Sequence, residues 1–207
     1  GSAMDAAKIA RYIYEYSLEQ EPGFLESYEK VSELFTRLQQ KFVDIRKRIV
    51  KFHHGTHTKL FCIPTTSGTG SEVTPYAVIT DDNTHVKYPL TDYEMTPQVA
   101  IVDPEFVMTV PKRTVAWSGL DTLSHALESY VSVMASDFTR PWSLQAIKLV
   151  FENLEKSYNY DPKNPTLEGE TARENMHYAA TLGGMAFANA FLGINHSLAH
   201  KTGGEFG

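Results

Sequence analysis

The distribution of strand-forming residues divides this chain into two unlike parts. Short apolar runs bounded by turn residues occur before Pro104, whereas no strand pattern follows Pro111. After that point apolar side chains recur at the spacing of helices. The predicted helices there cover about 114–134, 138–157, 167–190 and 192–202. The sequence therefore predicts an α/β part over 1–107 and an all-helical part over 108–207, and a cleft between two such parts is a usual ligand site.

The α/β part contains the pattern of a small sheet. The apolar run 60–64 predicts a strand that is buried on both faces of a parallel sheet, and 99–102 predicts another buried strand. Between them, 77–80 and 86–88 flank an Asp-Asp-Asn turn at 81–83, which predicts a hairpin. These strands make the first part α/β in class.

Two helical segments precede the strands. Residues 3–17 predict a helix whose inward side chains are Ala7, Ile9, Ala10, Ile13 and Tyr14. Residues 18–51 keep a helical period but carry many charges. We expect this second segment to be a solvent-facing excursion that could offer a surface to a partner.

A loop rich in hydroxyl groups and glycine follows the first apolar run. Residues 65–72 have the sequence Thr-Thr-Ser-Gly-Thr-Gly-Ser-Glu, and loops of this kind after a buried strand bind anionic or nucleotide ligands in α/β proteins. The Gly-Lys-Ser/Thr ending of a P-loop is absent from this loop, which argues against ATP hydrolysis. An ordinary Ser/Gly turn is the alternative interpretation.

Two helical segments each carry a pair of potential metal ligands. Asp121 and His125 are four residues apart, and so are His196 and His200. Positions i and i+4 lie on one face of a helix, so each pair can point to one place. Two such helices could cross at a divalent metal, because carboxylate oxygen and imidazole nitrogen are good ligands for Fe, Zn or Mn. A locally hydrogen-bonded Asp–His pair without a metal is the alternative.

Other potential ligands and the overall charge argue against several classes of function. The His53, His54 and His57 cluster predicts a solvated loop, and the single Cys62 excludes an internal disulfide. The formal net charge is −6, and no apolar run is long enough to span a bilayer. We therefore expect a cytoplasmic protein with neither nucleic acid nor membrane as a partner.

Four segments, taken in order and spacing, resemble the iron-dependent (group III) alcohol dehydrogenases. They are TTSGTGSEVTPYAVITDD, QVAIVDPEFV, GLDTLSHALESYVS and GINHSLAHKTGGEFG. The resemblance is greatest to the alcohol dehydrogenase half of bifunctional aldehyde–alcohol dehydrogenases, which also have a stretch similar to residues 42–49. It implies the C-terminal part of a Rossmann-like dinucleotide-binding domain, followed by an all-helical metal-binding domain. This is an incomplete dehydroquinate synthase-like fold.

The resemblance also implies roles for individual residues. Asp121, His125 and His196 match three of the family's four metal ligands, and His200 matches a histidine implicated in proton transfer near the substrate. A further group matches positions that bind the nicotinamide cofactor in the family. Its members are Gly1, Ser2, Asp5, Thr65, Thr66, Thr69, Thr74 and Lys87.

The function that the resemblance implies is an NAD(H)-linked interconversion of a primary alcohol and an aldehyde, with Fe(II) or possible Zn(II) as the metal. Alternatives of the same fold are a glycerol dehydrogenase and a dehydroquinate synthase-like lyase. A non-catalytic assembly module of a larger protein is a third interpretation. Complete members carry further segments at both ends, so we expect this chain to be a fragment with little activity alone. We expect the full-length protein to be a homo-oligomer or filament.

Overall fold

The computed structural model describes residues 1–20, 22–46, 57–80 and 86–206. Its helices and strands follow one another as α1 (Ser2–Leu18), α2 (Tyr28–Arg46), β1 (Phe61–Cys62), β2 (Tyr76–Thr80), β3 (Lys87–Thr91), β4 (Val99–Ala100), α3 (Lys112–Val131), α4 (Arg140–Asn159), α5 (Leu167–Ala190) and α6 (Ile194–Glu205). No helix among the described residues has the length and apolar character needed to cross a membrane. His53, His54 and the predicted turn at 81–83 lie outside the described residues.

The strands form two small sheets with the predicted directions. β1 and β4 pair in parallel, with Phe61 opposite Val99, and β2 and β3 pair as an antiparallel hairpin. The prediction that the parallel strands are buried on both faces is wrong. Cys62 is buried, but Phe61 is 56% exposed. Val99, which pairs with Phe61, is also exposed, so the described residues leave this face of the pair uncovered.

The hairpin, α1 and α2 share an apolar core. Its buried members are Ile9, Tyr12, Phe24, Leu34, Leu38, Ala77, Leu90 and Met95. Leu34 and Leu38 are one turn apart on α2, and both are almost fully buried. The expectation of a solvent-facing excursion over 18–51 is therefore wrong for one face of α2, which packs on the hairpin because its apolar residues recur every three or four positions.

The predicted inward face of α1 is correct only in part. Ile9 is buried, but Tyr14 is 49% exposed and Ala10 is also exposed. Lys8 lies buried instead, because its Nζ donates to the backbone oxygens of Thr74 and Tyr76, both at 2.8 Å. Hydrogen bonds to backbone carbonyls make burial of a charged side chain acceptable.

Three long helices form the centre of the helical part. α3, α4 and α5 pack on one another around Val150, Met176 and Ala179. The side chain of Thr166 caps α5 by accepting a hydrogen bond from the Gly169 N–H. α6 differs from these three helices, because none of its residues is buried.

The hydroxyl-rich loop joins the two parts of the chain. An added Cβ at Gly68 would lie 2.7 Å from the Ser118 Cβ on α3, and one at Gly70 would lie 2.6 Å from the Gly184 Cα on α5. Gly70 also has a positive φ of 60°, which favours glycine. Both loop glycines therefore allow the backbone to approach the helices closely, and Thr69 between them reaches the cavity described below.

Candidate metal centre and cofactor cavity

α3 presents the first two candidate ligands. Asp121 and His125 lie one helical turn apart, as their spacing predicts, with 3.6 Å between Asp121 Oδ1 and His125 Nε2. His125 is buried, and its ring stacks on that of Phe187 with 4.4 Å between the ring centroids. Packing of α3 against α5 thus fixes the position of this imidazole.

α6 brings the third candidate ligand to the same place. His196 Nε2 lies 3.4 Å from Asp121 Oδ1, and the rings of His196 and His125 stack with 4.5 Å between centroids. One ligand atom from each of these three residues lies within 4.8 Å of the other two. His200 is not part of this group, but its ring centroid is 6.4 Å from that of His196 and its side chain faces the same cavity.

Hydrogen bonds select the ring nitrogens that can bind a metal. His125 Nδ1 donates to the backbone oxygen of Gly68 at 3.2 Å, and His196 Nδ1 donates to the Glu128 carboxylate. A carbonyl oxygen can only accept, so Nδ1 of His125 carries the proton and Nε2 keeps its lone pair. Nε2 of both histidines faces Asp121, and on His125 it keeps the lone pair that a metal ligand needs. Nε2 of His196 donates a hydrogen bond to Asp121 and must lose its proton to bind a metal.

The electrostatic surroundings shift the pKa values of the two histidines in opposite directions. Burial lowers the pKa of His125 to about 4 in spite of the nearby Asp121 carboxylate. Burial also acts to lower the pKa of His196, but hydrogen bonds to Asp121 and Glu128 outweigh it and leave that pKa above its usual value. Burial opposes ionisation of Asp121, yet the hydrogen bond from His196 and the neighbouring imidazoles lower its pKa. The site therefore holds an ionised carboxylate between two imidazoles.

This donor set fits a divalent transition metal. It consists of the Asp121 carboxylate and the Nε2 atoms of two imidazoles, which lie close together, with an orienting hydrogen bond behind each imidazole. One oxygen and two nitrogen donors suit Fe(II), Zn(II) or Mn(II). The residues present are therefore compatible with a metal centre that leaves positions open.

A cavity of about 750 Å³ lies beside these three residues. Six of the eight residues predicted to bind a cofactor line it, namely Gly1, Ser2, Asp5, Thr69, Thr74 and Lys87. Thr65 and Thr66 do not line this cavity, and Thr65 is exposed. The structure thus brings most of the predicted cofactor residues and all three predicted metal ligands to one cleft between α1, the hairpin, α3 and α6.

Asp5 is already engaged within the chain. Its Oδ1 accepts a hydrogen bond from the Ser71 hydroxyl at 2.7 Å, and its Oδ2 accepts one from the Val78 N–H at 3.1 Å. These bonds tie the start of α1 to the loop and to the hairpin. Asp5 therefore shapes the wall of the cavity.

Glu128 and an aromatic wall also belong to the site, although the sequence did not predict them there. Glu128 lies one turn after His125 on α3, so the i, i+4, i+7 series with Asp121 was the signal that could have identified it. The aromatic wall comprises Tyr76, Phe187 and Phe191. The ring centroid of Tyr76 lies 6.2 Å from that of Phe187 and 6.1 Å from that of Phe191. Apolar spacing alone predicts core positions for such residues, which is why they were not assigned to the cavity.

The fold and this site together define a class of two-part proteins with a candidate metal centre in the cleft between an α/β part and a helical part. The family model described as "Iron-containing alcohol dehydrogenase" matches residues 1–104, and the model for the C-terminal part of the same family matches residues 115–207. The chain belongs to the iron-containing alcohol dehydrogenase family.

Individual relatives agree with this assignment. Aldehyde-alcohol dehydrogenase 2 of Entamoeba histolytica is 56% identical over 207 residues, which are 100% of this chain and 21% of that protein. The structure of an alcohol dehydrogenase from Oenococcus oeni matches with a TM-score of 0.76 and 32% identity, over 99% of this chain and 46% of that one. A sulfoacetaldehyde reductase from Bifidobacterium kashiwanohense, solved in complex with NAD⁺, matches with a TM-score of 0.73 and 28% identity, over 97% and 46%.

The comparisons also define how much of a relative this chain represents. It spans 21% of the length of the aldehyde–alcohol dehydrogenase that it matches and 46% of the matched solved chains. The family models confirm the resemblance to iron-dependent alcohol dehydrogenases. The matched structures confirm the predicted fold class, which is a partial Rossmann-like domain followed by a helical domain.

Proposed function

We propose that this chain carries the metal centre and part of the cofactor cleft of an NAD(H)-linked oxidoreductase that interconverts primary alcohols and aldehydes. The observation that supports this most directly is the convergence of Asp121, His125 and His196 in a cavity that is also lined by Thr69 and Lys87. Domain limits at 1–107 and 108–207, and a location in the cytoplasm, belong to the same proposal.

Asp121, His125 and His196 would hold the ion, with Fe(II) proposed from the family and Zn(II) as the alternative. When bound, such an ion supplies Lewis acidity, which lowers the pKa of an alcohol hydroxyl and polarises an aldehyde carbonyl. The chain contributes the fixed orientation of its three ligands. Because Gly68 and Glu128 hold the two rings, their Nε2 atoms are directed before any ligand arrives.

Other residues that line the cavity have the properties of a dinucleotide site. Gly1 forms the N-cap of α1 without a side-chain hydrogen bond to the helix, so the first-turn N–H groups are available to a phosphate. Lys87 and Lys201 add positive charge, and Thr69 adds a hydroxyl group. The reductase solved with NAD⁺ supports the choice of a nicotinamide cofactor.

The aromatic wall and His200 would control water and protons. Phe187 and Phe191 pack around Tyr76 and cover one side of the cavity with apolar surface, which favours hydride transfer over side reactions with water. Burial lowers the pKa of His200, and the nearby His196 and Lys87 lower it further. A neutral His200 at neutral pH can accept the proton that an alcohol loses.

A lyase of the same fold is less well supported. A substrate with several acidic groups requires several cations, and the basic side chains that line the described part of the cavity are Lys87 and Lys201 beside the imidazoles. The apolar wall suits a small, uncharged alcohol better.

The direct test uses the native full-length protein, purified without oxygen and loaded with Fe(II). We expect ethanol-dependent NADH formation, and we expect His196→Ala to lose both the bound iron and this activity. Leu198→Ala is the matched control, because Leu198 lies on the same helix and is 60% exposed. An iron-loaded protein that reduces no NAD⁺ with any short primary alcohol would refute the proposal.

A further inference from the structure

Glu128 lies on α3 and its side chain contacts α6. It is not one of the three candidate metal ligands. Its side chain is only 13% exposed, and its carboxylate bonds Nδ1 of His196. The opposite ring nitrogen of His196 faces Asp121. Glu128 therefore lies directly behind one of the candidate metal ligands.

The same carboxylate also binds the first turn of α6. Glu128 Oε1 accepts from the Asn195 N–H at 2.8 Å, and Oε2 accepts from the His196 N–H at 3.3 Å. The N-cap of this helix is Gly193, which supplies no side-chain hydrogen bond. Glu128 thus takes the place of a capping residue, and its negative charge is favourable at a helix N-terminus.

Few other contacts determine the position of α6. None of its residues is buried, and Leu198 is largely exposed. The turn before it contains Phe191 with a φ of 65° and a ψ of −177°, a backbone conformation that is almost confined to glycine and that a residue with a side chain adopts only when surrounding contacts enforce it. Among the described residues, apolar packing does not explain the placement of α6, so its polar contacts with α3 carry more weight.

Gly193 makes room for the contact. An added Cβ at this position would lie 2.8 Å from Glu128 Oε1, closer than side-chain carbons approach other atoms. A glycine here therefore lets the carboxylate lie against the backbone of the turn.

We propose that Glu128 is a positioning residue for the metal centre. It anchors the N-terminus of α6 and holds the His196 ring so that Nε2 points toward Asp121. His125 receives the equivalent support from the Gly68 carbonyl, which no side-chain substitution removes. This inference rests on the proposed metal site. It makes Glu128 the residue through which the affinity for the ion can be changed without removing a ligand.

The test measures Zn²⁺ affinity of the native full-length protein by competition with a chromophoric chelator, well below the melting temperature. Glu128→Leu keeps the volume of the side chain but accepts no hydrogen bond, and we expect its dissociation constant to rise about 10- to 100-fold. Glu128→Gln retains one acceptor and should lose less affinity. Glu152→Gln, on the exposed surface of α4, is the matched control and should bind as the wild type does.

Gly193→Ala provides a second route that keeps Glu128 in the chain. The added methyl group displaces the carboxylate, so we expect a weaker affinity for Zn²⁺ here too. If Glu128→Leu lowers the melting temperature but binds Zn²⁺ as tightly as the wild type, Glu128 only caps the helix and the proposal is wrong. An equal loss in Glu152→Gln would also overturn it.

The outcomes separate this inference from the proposed function. A protein that binds Zn²⁺ and Fe²⁺ through Glu128-dependent geometry but oxidises no alcohol would contradict the proposed function and leave the role of Glu128 intact. An active dehydrogenase whose metal affinity does not change when Glu128 is substituted would support the proposed function and contradict the role of Glu128. A wild-type protein that takes up no ion would overturn both.

Discussion

α3 and α6 both supply candidate metal ligands, but the two helices are held in different ways. α3 packs against α4 and α5, and six of its residues are buried, including His125. α6 buries none of its residues and contacts α3 through the Glu128 carboxylate and through His196, which lies against Asp121 and His125. One ligand therefore comes from the packed interior and another from a helix at its edge.

This difference separates two ways of organising a metal site. Folding of the helical core places His125, so its position depends on the same contacts that stabilise the protein. His196 depends on a few polar contacts, which contribute less to global stability but decide the direction of one ring. Substitutions in the two helices should therefore separate loss of stability from loss of metal.

The largest difference in the free energy of unfolding is expected between His125→Ala and His196→Ala. Both variants should lose the metal, because each removes one of three donors. His125→Ala should also reduce the free energy of unfolding of the metal-free protein by about 3 kcal/mol, since it leaves a cavity beside Phe187 and removes a buried hydrogen bond to the Gly68 carbonyl. His196→Ala should cost less than about 1 kcal/mol.

Urea unfolding of the metal-free variants provides the measurement. Equal destabilisation by the two substitutions would show that α6 is as firmly packed as α3, which would contradict the difference between the two helices. Leu198→Ala serves again as the reference for a harmless change on α6.

The pH dependence of stability should differ in sign for the two histidines. The pKa of His125 is about 4 in the folded state and near 6.5 in the unfolded state, so the unfolded state binds more protons between these values. Stability of the metal-free protein should therefore fall as pH decreases from 6.5 to 4, by about 2–3 kcal/mol. His125→Ala should lack this loss.

His196 should act in the opposite direction. Its folded pKa is raised by Asp121 and Glu128, so its contribution is complete below the unfolded pKa and is lost as pH rises through the folded value. Unfolding curves of His196→Ala from pH 6 to 9 should show a weaker decline than the wild type. An identical slope in both proteins would contradict the assigned contacts.

The smallest difference in stability is expected between two glycine substitutions. Gly184 lies on α5 where an added Cβ would be 2.9 Å from the Gly70 Cα, so Gly184→Ala forces two backbones apart and should cost about 1–3 kcal/mol. Gly193→Ala meets only the end of the Glu128 side chain, which can move. Its melting temperature should stay close to that of the wild type, and a larger shift than for Gly184→Ala would argue against a loosely packed α6.

Local patterns were sufficient to predict the helices and the spacing of Asp121 and His125. A helical period of 3.6 residues fixes the relation between positions four apart, whatever the rest of the fold does. The parallel pair and the hairpin followed equally from short apolar runs with turn residues between them. Each of these inferences depends on residues close together in the chain.

Contacts between distant segments were not predictable in the same way. Glu128 contacts His196 across 68 positions, and that contact requires the turn at Phe191 and the absence of a side chain at Gly193. The burial of Lys8 also escaped prediction, because the carbonyls that accept its hydrogen bonds belong to residues beyond the first helices. Hydrophobic patterns carry no information about polar partners of this kind.

The most direct test of the central claim is a crystal structure of the iron-loaded native protein with anomalous diffraction data at the iron absorption edge. The account predicts one strong anomalous peak within bonding distance of the Asp121 carboxylate and of Nε2 of both His125 and His196. A peak at other residues, or no peak in a protein that had been exposed to excess Fe(II), would contradict it.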